Sequence, residues 1–143
     1  MAPTLLTALL AIGAGAPGAT RPASPQAQAE RGTAHRYARA IIQESRLRGL
    51  ADQLARLVVY LQHAGRNAAP AEASLRAVRA DAASLEASLQ VGSEAPAFAR
   101  LDYDAIEKRL PGAIVRAAQA RDAAADLLAG AKRRTHRDTR AGP

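Results

Sequence analysis

The chain has 143 residues, with 20 Lys plus Arg against 13 Asp plus Glu, so its formal net charge at pH 7 is +7. It has no cysteine, which excludes disulfide scaffolds, thiol nucleophiles and cysteine-ligated metal centres. Alanine supplies 38 residues, whereas Leu, Ile, Val and Phe together supply 27. Because alanine favours helices but buries little apolar area, we expect long helices around a thin core.

Residues 1–29 differ from the rest of the chain, since they contain no acidic residue and a single basic one, Arg21. An apolar block at residues 5–12 is followed by a Gly/Ala/Pro-rich stretch and an A-x-A pattern at residues 27–29. This order is typical of a secretory signal peptide and predicts a secreted or periplasmic protein. The first four residues lack Lys and Arg, so the alternative is a flexible leader on a cytoplasmic protein.

The leader also contains a G-x-G-x-x-G pattern at residues 13–18. A dinucleotide-binding fingerprint needs a preceding strand and a helix that opens directly after the glycines. Pro17, Pro22 and Pro25 disfavour that helix. We therefore interpret the glycines as leader composition and predict no cofactor.

The first predicted helix covers about residues 33–64. Its leucines recur at alternating spacings of three and four residues, which places them on one face. Thr33 is the expected N-cap, and Gly65 is the expected residue after the C-cap. Gln43 and Glu44 lie near the apolar face and are candidates for buried polar side chains.

The second predicted helix covers about residues 70–91. Pro70 suits the first helical position, and Glu72 in the first turn complements the helix dipole. The apolar residues repeat the same three–four spacing, and Gly92 is expected to end the helix.

The third predicted helix covers about residues 102–131. Asp102 is the expected N-cap, with Leu101 and Ile106 as a hydrophobic staple; Asp104 and Glu107 offer a competing capping box. Pro111 predicts a kink or a short break, because proline removes a helical hydrogen bond.

These elements predict an all-α fold, either an antiparallel three-helix bundle or an extended, coiled-coil-like helical hairpin with a third helix. The predicted domain organisation is a leader at 1–29, a helical bundle at 30–131 and a basic, disordered tail at 132–143. The residues predicted to form the packing stripe are Leu47, Leu50, Leu54, Leu57, Leu61, Leu75, Val78, Leu85, Leu89, Ile106, Leu110 and Leu127.

Charge is distributed unevenly along the chain. Residues 67–107 carry a net charge of −4, between basic segments at 30–66 and 108–143. The simplest interpretation is an acidic middle helix that pairs with two basic neighbours. The alternative is a nucleic-acid surface on the first and third helices.

The tail is the densest cationic cluster in the sequence. It predicts a partner-binding segment for phosphates, anionic lipid headgroups or an acidic protein, and its alternative role is that of a solubilising tail. The candidate binding residues are Lys132, Arg133, Arg134, Arg137 and Arg140.

No catalytic or metal-binding pattern is found in the sequence. The three histidines, His35, His63 and His136, have no i+3 or i+4 histidine partner. Asp102 and Asp104 form a D-x-D pattern, which capping already explains. The sequence thus predicts that the protein is not an enzyme and has no small-molecule substrate.

The leading functional hypothesis is a small, non-catalytic helical protein that acts through protein–protein contacts or self-association, as an exported, envelope-associated adaptor or accessory factor. The alternative is an intracellular basic protein that binds nucleic acid through the first helix and the tail. A GC-rich reading frame that encodes no stably folded protein would have a similar Arg- and Ala-rich composition, which is a third hypothesis.

Overall fold

The computed structural model describes residues 23–93, 98–138 and 140, which contain three α-helices, one 3₁₀ turn and no strand. The helices are α1 (Pro25–His63), α2 (Ala69–Ser88) and α3 (Tyr103–Asp138), and the 3₁₀ turn (Phe98–Arg100) is called the connector turn below. All three helix pairs are in contact, and α1 and α3 make the most extensive contact. The predicted all-α three-helix bundle is confirmed.

The bundle has an up-down-up topology. The short connection at residues 64–68 makes α2 run antiparallel to α1. Arg36 near the start of α1 binds Asp104 at the start of α3, and Gln53 further along α1 accepts from Arg121 of α3. These two contacts show that α1 and α3 run parallel. None of the described helices is long and apolar enough to cross a membrane.

The core lies where the apolar faces of the three helices meet. Its large, fully enclosed apolar side chains are Leu47, Leu54, Leu61, Leu85, Leu89 and Leu110. Beyond Leu110, the fully buried residues among the described side chains of α3 are all small, namely Ala113, Ala117 and Ala124. Because alanine has a single side-chain carbon, the backbone of α3 can approach its neighbours closely at this level.

Two residues of the predicted packing stripe differ from the others in burial. Leu57 is only partly buried against the core, and Leu127 is 49% exposed. The prediction for Leu127 is wrong, since Leu128 packs on the core in its place. A straight helix drifts by about 20° per heptad from a strict seven-residue repeat. After three heptads the buried face of α3 has moved from the position of Leu127 to that of Leu128.

The start of α1 lies earlier than the sequence predicts. Ser24, rather than Thr33, is the N-cap, and its hydroxyl accepts from the N–H of Ala27 at 3.2 Å. Pro25 occupies the first turn, where its missing N–H costs no helical hydrogen bond. The A-x-A pattern at residues 27–29 therefore lies inside α1, and the predicted leader boundary at residue 29 does not match the helix. The G-x-G-x-x-G pattern lies outside the described residues.

The C-termini of α1 and α2 share one capping geometry. Gly65 follows α1 with φ +65°, and Arg66 N–H donates to the carbonyl of Leu61, as in a Schellman motif. The predicted role of Gly65 is thereby confirmed. After α2, the equivalent position is Gln90, with φ +53°, so α2 ends at Ser88 and not at residue 91 as predicted.

The start of α3 matches its prediction, whereas the end does not. Asp102 caps α3 by accepting from the N–H of Ala105 at 3.1 Å. The helix continues through Pro111 without the break that we considered, because Pro111 lies on the exposed face, where water can reach the carbonyl left without a partner. It ends at Asp138, seven residues beyond the predicted end at residue 131.

Candidate protein-binding groove

The most extensive polar contact between helices is centred on Arg36 of α1. Its guanidinium forms a fork on Glu107, with Nε to Oε1 at 2.9 Å and Nη2 to Oε2 at 3.0 Å. The same Nη2 also donates to Asp104 at 2.6 Å. Two carboxylates of α3 thus hold one cation of α1, and this fixes the register of the two helices at one end of the bundle.

These contacts change the acidity of the groups involved. The hydrogen bond from Arg36 lowers the pKa of Glu107 below its ordinary value. In turn, the hydrogen bonds to Glu107 and Asp104 raise the pKa of the Arg36 guanidinium. Arg36 and Glu107 therefore remain charged at neutral pH.

An aromatic cluster attaches the connector turn to the same end. The Arg36 guanidinium lies 5.2 Å from the centre of the Tyr103 ring, within range of a cation–π interaction. The Tyr103 hydroxyl donates to the carbonyl of Phe98 at 2.7 Å. The Phe98 ring packs edge-on against Tyr37 with ring centroids 4.4 Å apart. Burial raises the pKa of Tyr103, so its hydroxyl stays protonated as a donor.

This arrangement creates a groove between the first turns of α1 and the connector turn. Its volume is about 750 Å³. Alanine side chains and the partly exposed Phe98 ring form much of its wall, and polar side chains also contribute to its lining. The groove is lined by Gln26, Ala29, Glu30, Thr33, Ala34, Phe98, Ala99 and Arg100. We call this feature the α1–connector groove.

The groove could not be found from sequence alone. Thr33 was expected to cap the first helix, yet it lies on the groove wall. Asp104 and Glu107 were considered as a capping box, but Arg36 engages both carboxylates. The partners of Arg36 are 68 and 71 residues away in the chain, so no local pattern connects them.

The basic C-terminal cluster lies at the opposite end of the bundle. Leu128 shares a small surface cavity with Tyr60 and His63 near the end of α1. The residues of α3 after this point extend past α1 by about 15 Å. Among the predicted binding residues, Lys132, Arg133, Arg134 and Arg137 lie in α3, and Arg140 follows it; Arg133, Arg137 and Arg140 are exposed.

The charge pattern is more local than the sequence suggested. Of the seven acidic residues at 67–107, only Glu72, Asp81 and Glu86 lie in α2, which has a net charge of −1. Asp81 pairs with Arg116 of α3 at 3.0 Å. The middle helix therefore carries only part of the −4 of residues 67–107, since Asp104 and Glu107 belong to α3 and serve its contact with α1.

One charged side chain lies in the core. Glu44 is fully buried and forms an ion pair with Arg48, with Oε1 to Nε at 2.8 Å and a hydrogen bond from Nη2 to Oε2 at 2.8 Å. The Nε–H does not point at Oε1, which is left without a hydrogen bond. The Arg48 side chain is half-exposed, and the bond to Glu44 raises its pKa. The pair thus bridges the core and the solvent.

No protein family, curated protein or solved structure matches this chain at a significant level. Within the described residues, no group of three or more His, Asp or Glu side chains could hold a metal ion.

Proposed function

We propose that this protein is a small, non-catalytic helical protein that works by contact with a partner protein, and that the α1–connector groove receives an apolar segment of that partner. The observation that carries the proposal is the groove itself, with an exposed aromatic ring beside a row of small side chains. Aromatic side chains that are rigidly held at a concave surface are frequent anchors of protein–protein binding.

The groove walls suit a helix or an extended segment. Ala29 and Ala34 project little, so the backbone of a bound segment can approach α1 closely. Glu30 and Arg100 carry opposite charges at the groove, which provides a polar rim around an apolar floor. The Arg36 cluster holds the connector turn in place, so little conformational entropy is lost when a partner binds.

A site-specific photo-cross-linking residue at Ala34 tests this proposal in the cells that naturally make the protein. The matched control is the same residue at Ala80, an exposed alanine of α2 away from the groove. We expect a defined protein adduct from Ala34 alone, and its loss when Ala29→Glu is added. Identical adducts from both positions, or none from Ala34, would contradict the proposal.

We further propose that the protein is exported and acts in the cell envelope. The support is the sequence of the leader, in which an apolar block at residues 5–12 precedes a small-residue motif at residues 27–29. Mass spectrometry of the native protein from fractionated cells tests this part. An intact N-terminus in the cytoplasm would contradict export and leave the groove proposal unchanged. A mature N-terminus at Glu30 would support export and contradict the groove proposal, because Gln26 and Ala29 would be missing from the wall.

The alternative function is nucleic-acid binding, and the helical extension of α3 is the observation that favours it. A projecting helix end with exposed arginines can contact phosphates. Titration with DNA and RNA at two salt concentrations tests it, using Arg133→Ala with Arg137→Ala as the variant. Affinity that falls steeply with salt and depends on these arginines would favour this function, and salt-independent or absent binding would remove it.

A further inference from the structure

We propose that residues 5–12 of the chain itself occupy the α1–connector groove, so that the leader competes with the partner for this site. The inference rests on the proposed function, because it concerns access to the same groove. The proposed occupant is the apolar block at residues 5–12, in the segment that precedes the described residues.

The chemistry of the block matches the groove. Five of its eight residues are large aliphatic side chains, Leu5, Leu6, Leu9, Leu10 and Ile12. No charged residue occurs before Arg21, so docking this block buries no charge. Large aliphatic side chains complement the small residues of the wall, which leave room between α1 and the Phe98 ring.

The length of the tether also fits. Residues 13–24 connect the block to α1 and are rich in Gly, Ala and Pro. A linker of this length has a root-mean-square span of about 19 Å if it behaves as a flexible chain. The groove extends along α1 from Gln26 to Ala34, which is about 12 Å of helix. The tether can therefore return the block to the groove without strain.

Tethering favours this occupant over a second copy of the chain. A segment on a short linker has an effective concentration of about millimolar at its site. A separate molecule at micromolar concentration would need an affinity about a thousandfold higher to compete equally. The leader therefore fills the groove first, unless it is cut away or displaced.

Disulfide trapping in the full chain tests the proposal, and the absence of native cysteine makes it clean. The test protein carries Leu9→Cys and Ala34→Cys, and the matched control carries Leu9→Cys and Ala80→Cys. In dilute protein under mild oxidation, we expect an internal disulfide to form at least about tenfold faster in the test protein than in the control. Equal rates would overturn the proposal, as would a disulfide-linked dimer, which would identify a second copy as the occupant.

A dye provides a second readout in the full chain. We expect Leu9→Asp to increase the fluorescence of 1-anilinonaphthalene-8-sulfonate severalfold, because an emptied apolar groove binds this dye, and Ala34→Glu to reverse the increase. Thr20→Asp is the matched leader control and should leave the signal unchanged. No increase with Leu9→Asp would overturn the proposal.

The two proposals fail separately. If Leu9→Asp does not change dye binding but the partner adduct at Ala34 persists, the leader does not dock and the groove function stands. If the internal disulfide forms but Ala34 yields no partner adduct even when Leu9→Asp releases the leader, the leader docks and the proposed function fails.

Discussion

The middle of the bundle and the end that carries the groove are held together by different forces. In the middle, fully enclosed leucines from all three helices form an apolar core. At the groove end, Arg36 and Glu107 are each about 40% exposed, and the contacts are ion pairs, ring contacts and a tyrosine hydrogen bond. The middle therefore supplies most of the stability, whereas the groove end mainly fixes the positions of α1, the connector turn and α3.

The strongest test of this division is Leu54→Asp in the middle of α1. Leu54 is 0% exposed, so the new carboxylate would be buried without a partner. We expect a loss of about 4 kcal/mol or more in the free energy of unfolding, enough to abolish cooperative melting followed by circular dichroism. Ser45→Asp on the exposed face of the same helix is the control. If the unmutated chain itself shows no cooperative transition, the hypothesis of an unfolded reading frame is favoured instead.

Substitutions at Glu44 and Arg48 distinguish two contributions to the free energy of unfolding. One is the cost of burying a charge, and the other is the loss of the ion pair. Arg48→Ala leaves the buried carboxylate without its cation and should cost about 1–3 kcal/mol in urea unfolding, since water can reach part of this half-exposed site. Glu44→Leu removes the charge and should be neutral or stabilising. Destabilisation of the same size by both changes would show that the ion pair itself contributes to the core.

Gln90 lies just after α2, at the start of the segment that leads to the connector turn. Its φ of +53° is unfavourable for a residue with a Cβ atom. Gly92, two residues further on, has a φ of +81°, so Gly92→Ala should lower the free energy of unfolding by about 1 kcal/mol because a Cβ atom is strained at this φ. Urea unfolding measures the change. Unchanged stability would contradict the assignment of backbone strain to this position.

At the groove end, Glu107→Gln should have the smallest effect on global stability. The folded protein lowers the pKa of Glu107 below the value near 4.5 of a free carboxyl, so its contribution is present above that pH and is lost as the pH falls through the folded pKa. The difference in stability between the unmutated protein and Glu107→Gln should therefore be larger at pH 7 than at pH 3. Hydrogen exchange should show faster opening near Tyr103 than in the middle of the bundle. A difference that grows at low pH would contradict the assignment.

The features that could be predicted from the sequence are those encoded over a few residues. The spacing of Leu47, Leu54 and Leu61 gave the core face of α1, and Asp102 with its following turn gave the start of α3. Features that depend on contacts between residues far apart in the chain could not be predicted. The contacts of Arg36 and the wall contributed by Phe98 depend on how the connector turn returns to α1, and no periodicity expresses that path.

Because Ser24 caps α1, a protease could cut the leader at residues 27–29 only while the first turn of α1 is unfolded. A protease needs unwound backbone, and residues 27–29 lie in a helical turn that the Ser24 hydroxyl closes. Cleavage after Ala29 must therefore precede the formation of α1 or wait for its first turn to open. Cutting there would also remove Gln26 and Ala29 from the groove wall. Under the proposed export, Ser24 would set a competition between folding and proteolysis, and Ser24→Ala would shift its outcome toward the protease by weakening the cap by about 1 kcal/mol.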